Sequence, residues 1–183
     1  MAMNPLQNVR VLDFGSAWAG PYAGQLLSFM GAEVIKVESR KRLDVNRVRS
    51  DAMSGEAADV ELSILFHDVN MSKMSVTIDL TQSKGRRLAH RLAAVSDMVL
   101  ENFRPGVMEK LGLDYATLRQ HNPRLIYATN QAFGTQGPFR NWRGFDPTIQ
   151  AMSGAMYGFG DKDSPEPLMS TGAMFDQNGA TLL

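Results

Sequence analysis

The chain has no cysteine, which excludes a disulfide scaffold and any thiolate metal site. It has no net charge: 19 Lys and Arg stand against 19 Asp and Glu, a balance that argues against a domain built for non-specific nucleic-acid binding. No apolar run is long enough to cross a bilayer, and the opening MAMNPLQNVRV lacks a basic region followed by an apolar segment. A cytoplasmic protein with no membrane partner is the resulting expectation. His67, His90 and His121 show no metal-ligand spacing and suggest no Ser-His-Asp arrangement. Two phosphate-binding signatures are also missing. Without G-x-x-x-x-G-K-[ST], P-loop phosphoryl transfer drops out. The dinucleotide fingerprint G-x-G-x-x-G fails too, because Gly15, Gly20 and Gly24 lie five and four residues apart. Glu38 alone is a weak echo of the acid that holds an NAD ribose.

What is present reads as α/β. With 183 residues, 44% of them hydrophobic, the chain can bury a sizeable core. Asn8–Glu38 is a strand, a glycine-containing turn, a helix and a strand. Pro21 suits the first helical turn and Gly31 the helix exit. The polar stretch Ser39–Val69 reads as a long loop. Further strands follow at Ser75–Leu80, Asp97–Glu101 and Arg124–Asn130. Between them lie a helix over Ser83–Ser96, with Leu88, Leu92 and Val95 on one face and Lys84, Arg86, Arg87 and Arg91 on the other, and a helix over Val107–Gln120 with Gly112 as its weak point. Five strands alternating with helices predict an open parallel sheet with flanking helices. The last forty residues are rich in Gly, Met and Ala, and 173–183 reads as a helix interrupted in its first turns, so the chain is expected to be the front portion of something longer.

Two groups of side chains could carry chemistry. Arg40, Lys41, Arg42, Arg47 and Arg49 sit just past the second strand, either as a solvated loop or as an anion site at a strand's carboxyl end. Asp13, Asp146 and Asp176 each occupy a small-residue turn, where capping or turn formation competes with a catalytic role.

The landmarks VRVLDF with AGPYAGQLLSFMGAEVIKVE (9–38), N-x-x-K-x-S-V-x-x-D-L (70–80), ENFRPGVMEKLGLDYATL (101–118), NPRLIYA (122–128) and FGTQGP (133–138) resemble the family III coenzyme A transferases, a group that includes the formyl-CoA, carnitine and bile-acid CoA transferases. The resemblance covers Pro5 to the end and implies that residues 1–183 form the N-terminal part of a large Rossmann-like domain, about the front half of a family member. It implies an acyl-CoA and a carboxylic acid as partners, coenzyme A as the carried group, no metal, and a homodimeric parent. Asp176, in Phe175-Asp176-Gln177-Asn178-Gly179, matches the family's nucleophile, which would pass through a mixed anhydride and an aspartyl-CoA thioester. An ionised Asp is needed throughout, so burial that raised its pKa would work against it. For the CoA contacts, Ala17 and Trp18 match the first turn, with tryptophan standing where a relative has glutamine. Asn102 and Phe103 match a strand end, Lys110 matches a phosphate-binding base, and Arg40 and Arg47 match a basic loop. Arg143 and Asp146 fall near the thioester end. A racemase branch uses a Gly-His-Asp context; Gly144-Phe145-Asp146 lacks the histidine, and phenylalanine cannot move protons. A non-catalytic CoA-binding fragment is the remaining alternative.

Overall fold

Alternation along the first strand sets up the sheet. In β1 (Arg10–Asp13), Leu12 points into one apolar layer and Val11 into another, and both are fully buried. A strand buried on both faces belongs in the middle of a parallel sheet. The structure is a computed structural model and describes residues 4–49, 59–160, 163, 166–170 and 172–183. Residues 50–58 of the polar stretch, and 161, 162, 164 and 165 within the last forty residues, lie outside the described residues. β2 (Glu33–Glu38) and β3 (Met74–Thr77) lie to one side of β1, and β4 (Met98–Glu101) and β5 (Ile126–Thr129) to the other. The order is β3-β2-β1-β4-β5, every pairing is parallel, and Leu12 stands opposite Ile35 and Val99. The strand order reverses between β1 and β4. A crevice at their carboxyl ends is where such a sheet receives ligands.

Helices cover both faces. α1 (Ala19–Phe29) lies on the face lined by Val11, Val34 and Leu100, with the helix ending at Gly31 (φ +100°). α2 (Val45–Arg49) and α3 (Ile64–Asp68) pack together within the stretch read as a loop. Ser63 starts α3 by accepting the Phe66 N–H at 3.3 Å.

α4 (Ser83–Ala94) corrects the expected face. Its buried residues are Gly85, Ala89 and Ala93, while Leu88 is 40% exposed and Val95, just past the helix, 59%. The helix lies so close to the β3–α4 connection that a Cβ on Gly85 would collide with the Asp79 carbonyl. Leu92 alone of the three expected residues packs against the core, and the rest of the buried stripe is made of small residues.

The expected helix over 107–120 is two helices. Gly112, at φ +66°, ends α5 (Val107–Leu111), and Asp114 opens α6 (Tyr115–Leu118) by accepting the Thr117 N–H at 3.0 Å. α7 (Asp146–Met152), α8 (Ala155–Gly158) and α9 (Met174–Thr181) follow, with α9 packed on α1 and on α7. No helix among the described residues is long and apolar enough to cross a membrane.

Beneath the turn after β1 lies a charged cluster removed from water. Lys73 Nζ donates to Asp13 Oδ2 at 2.8 Å, to the Pro21 carbonyl at 2.6 Å and to Asn70 Oδ1 at 2.9 Å. All three ammonium donors are used, and Asp13 also accepts the Gly15 N–H at 2.7 Å. Burial pulls the Lys73 pKa down, and the Asp13 charge opposes that pull. Removing one partner leaves an uncompensated charge in the core, so Lys73→Met is expected to lower the unfolding free energy by about 3–5 kcal/mol. Urea denaturation checks this; a loss within about 0.5 kcal/mol of zero would mean the pair does not anchor the turn.

Candidate functional site

The turn at Phe14–Trp18 borders the switch-point crevice, and its backbone is held from three sides. Lys36 Nζ donates to the Gly15 carbonyl at 2.7 Å. Asp44 accepts the Ala17 N–H at 3.3 Å, and Asn46 donates to the Ala17 carbonyl at 2.8 Å. Ala17 itself is left-handed, at φ +62°, a conformation that a side-chain-bearing residue adopts at some cost. The third hold crosses the crevice. Asn102, directly after β4, accepts the Ser16 N–H at 2.8 Å and donates to the Ser16 carbonyl at 2.8 Å. One amide side chain therefore joins the two loops that flank the reversal of strand order.

The irregular glycine spacing has its explanation here. A Cβ on Gly20 would stand 2.8 Å from Asn102 Cγ, and one on Gly24 would stand 2.9 Å from Asp13 Oδ2. Both positions are bare so that a polar side chain can approach α1. They serve the protein's own Asn102 and Asp13–Lys73 groups.

The expected CoA contacts are distributed unevenly. Ala17, Trp18, Asn102 and Phe103 are all half-buried, and Asn102 bonds Ser16, the residue before Ala17. Phe103 packs on the core face of α4, and its N–H donates to Glu101 Oε2 at 2.7 Å. Arg40 is exposed past β2, Lys110 is exposed on α5, and Arg143 is exposed before α7; none of the three makes an ion pair among the described residues. Arg47 is different. Its guanidinium donates to both Glu38 oxygens at 2.7 and 3.0 Å, to the Val60 carbonyl at 3.0 Å and to Glu61 at 3.2 Å, and it lies 3.5 Å from the Phe66 ring centroid. Buried and bidentate, it braces α2 and α3 against β2. Glu38, considered above as a ribose ligand, is the other half of that brace.

A second polar centre lies at the start of α9. Asp146, buried at the first position of α7, accepts the N–H of Phe175 at 2.5 Å and of Asp176 at 3.2 Å. It thereby caps a neighbouring helix from outside, where Ala173 (φ +54°) offers no side-chain cap. Asp176, half-buried in the first turn of α9, makes no side-chain hydrogen bond among the described residues. Burial, and then the Asp146 charge, push its pKa up to about 6. The pKa thus moves in the direction expected to work against an ionised nucleophile, although a carboxyl near 6 is still mostly ionised at neutral pH. One turn further on, Gly179 packs on Asn130, the residue after β5, and Ala180 is buried in the α1 face of the core. These contacts set α9 at the carboxyl end of the sheet, the end that carries the crevice.

Several supporting residues carry no motif of their own. Lys36 and Asp44 are buried, and their ion pair spans 3.6 Å, but in sequence they read as surface charge. Glu101 is buried beside a cavity of about 200 Å³ lined also by Arg104, Met108, Tyr127 and Thr129, and burial raises its pKa. Lys73 had a signal in the N-x-x-K landmark, whose Asn70 and Lys73 are in fact hydrogen-bonded.

Comparison with known proteins agrees with this architecture. The model for CoA-transferase family III matches residues 6–183. The succinate–glutarate CoA-transferase of Agrobacterium fabrum is 39% identical over 173 residues, which are 94% of this chain and 43% of that protein. A formyl-CoA:oxalate CoA-transferase of Streptomyces coelicolor is 32% identical over 179 residues, 98% of this chain and 42% of that one. Among solved structures, a CaiB/BaiF family protein from Brucella suis superposes with a TM-score of 0.85 at 39% identity, covering 94% of this chain and 45% of its own. The chain therefore spans less than half the length of these relatives. A family match over nearly all its residues and a shared fold at this identity lead to one conclusion: the chain belongs to CoA-transferase family III.

Proposed function

We propose that the protein containing this chain moves coenzyme A from an acyl-CoA thioester to a carboxylic acid, with Asp176 as the nucleophile. The observation that carries this reading is the placement of Asp176, half-buried in the first turn of α9 and without a side-chain hydrogen-bond donor among the described residues. A carboxylate so placed is more basic than one in water and carries little hydration to shed, while still being ionised at neutral pH.

The steps balance without any external proton or electron. An Asp176 oxygen attacks the thioester carbonyl, the C–S bond breaks, and a mixed anhydride and CoA thiolate result. The thiolate attacks the Asp176 acyl carbon and releases the donor acid as its carboxylate. The acceptor carboxylate then attacks the aspartyl-CoA thioester carbonyl and expels CoA thiolate, giving a second mixed anhydride. The thiolate attacks its acceptor acyl carbon to form the new thioester and free the Asp176 carboxylate. The charge that opposes Asp146 disappears whenever Asp176 is acylated, so the like-charge pair favours the covalent states over the free carboxylate. The N–H groups of Phe175 and Asp176 are already bonded to Asp146. They are therefore not free to stabilise the tetrahedral oxyanion, and that task falls to other donors.

In this proposal Ala17, Trp18, Asn102 and Phe103 line the CoA path at the crevice, while Arg40, Lys110 and Arg143 offer exposed cations to its phosphates. Arg47 enters as a strut, because Glu38 and Glu61 already occupy its guanidinium. The racemase reading is not favoured: Phe145 stands where that branch needs a histidine, and Asp146 is engaged in capping α9. A homodimer is the proposed assembly of the whole protein.

Asp176→Ala in the whole protein, assayed with an acyl-CoA and a free acid, should reduce transfer by roughly three orders of magnitude or more. Transfer near the unmutated rate would refute the assignment. The pH profile is a second check. Because the nucleophile must be ionised, kcat/KM should fall on the acid side with an apparent pKa of about 6. In Asp146→Asn, which keeps an acceptor for the α9 amides but removes the charge, that limb should move to lower pH. A limb unchanged by Asp146→Asn would show that Asp146 does not tune the nucleophile.

A further inference from the structure

One fully buried polar side chain has no part in the chemistry above. Gln150, on α7, has no exposed surface at all. One helical turn after Asp146, its Nε2 donates to Asp146 Oδ2 and also to the Ser170 carbonyl at 3.4 Å, while its Oε1 accepts the Ser170 N–H at 2.9 Å. Gln150 therefore treats Ser170 as a strand neighbour would, bonding both its backbone groups, and uses its second amide hydrogen on Asp146. An aliphatic side chain would fill this space with no polar group to satisfy, so burying an amide there needs a reason.

The connectivity supplies one. Ser170 lies four residues before the start of α9, and Asp146 Oδ1 holds the α9 amides of Phe175 and Asp176. A single buried amide thus fixes both supports of the turn that carries Asp176: the incoming chain at Ser170 and the capping carboxylate at Asp146. We infer that Gln150 is a positioning residue for the proposed nucleophile, acting through Asp146 and Ser170 and touching neither substrate nor Asp176. This rests on the reading of Asp176 as nucleophile for its kinetic consequence, but not for its structural one.

The Asp146 oxygen that Gln150 grips is not the one that meets α9. Loss of the amide would leave that carboxylate oxygen buried without a donor, and the carboxyl would rotate to find one. The two α9 N–H bonds would loosen, and the Asp176 carboxylate would lose its fixed direction. Misplacement of a reacting group by about 1 Å costs on the order of a hundredfold in rate.

The test uses the whole protein and two readouts. Gln150→Met keeps the side-chain length and removes every hydrogen bond. It should lower kcat at least about tenfold while KM for the acyl-CoA stays within about threefold, because the crevice contacts at Asn102 are untouched. A folded variant with kcat within about twofold of the unmutated protein overturns the proposal. Native-state hydrogen exchange on the unmutated protein needs no variant to fold and no assumption about Asp176. The amides of Ser170, Phe175 and Asp176 should open as one unit, with protection agreeing within about tenfold. Ser170 exchanging more than about a hundredfold faster than the other two would overturn the proposal. If exchange is concerted and Gln150→Met slows turnover while Asp176→Ala does not, the latch stands and the nucleophile assignment is what fails.

Discussion

The ion pair between Asp13 and Lys73 is the constraint on which the rest of the structure depends. It joins the end of β1, the first turns of α1 through the Pro21 carbonyl, and the segment entering β3. A buried pair of charges adds little net stability compared with apolar residues of the same shape, but it tolerates few alternative arrangements. Each ammonium hydrogen and each carboxylate oxygen has an assigned partner, so the turn over the pair has one conformation. Gly24 is bare because the pair lies against it. Lys36 and Asp44 repeat the device one strand over, fixing the same turn from the β2 side.

With that turn fixed, Asn102 can close the crevice from the other strand. Its two hydrogen bonds to Ser16 depend on the turn presenting its N–H and carbonyl in register, and on Gly20 leaving space. The crevice belongs to the Rossmann-like strand order, but its floor is built without a phosphate-binding glycine loop. The polar groups that would hold a pyrophosphate in a dinucleotide site are here occupied by the protein's own side chains.

The acidic centre follows a different logic. Asp146 and Asp176 are both carboxylates in a poorly hydrated place, yet they have opposite environments. Asp146 receives two backbone N–H groups and the Gln150 amide. Asp176 receives none among the described residues and carries the raised pKa. One carboxylate is tied into the backbone of its neighbours as a fixed support, and the other is left without such partners among the described residues.

How much of this was legible in the chain differs from one feature to another. The parallel sheet was, because strands buried on both faces and glycine-ended helices leave a local pattern in the residues themselves. So was Asp176 as a candidate, from the Phe-Asp-Gln-Asn-Gly context that the resemblance marks. Local pattern misjudged Leu88 on α4 and Val95 just past it, where the buried stripe runs through Gly85, Ala89 and Ala93 and Gly85 lies against the Asp79 carbonyl. It also misjudged Arg47, a surface cation by composition but buried against Glu38 and Phe66. By itself the sequence determined the five parallel strands and the family. Only the tertiary structure decided which charges are buried, and which of the two acids caps a neighbouring helix. Those outcomes depend on burial and on partners up to 60 residues away in the chain, as Asp13 is from Lys73, and no local pattern records them.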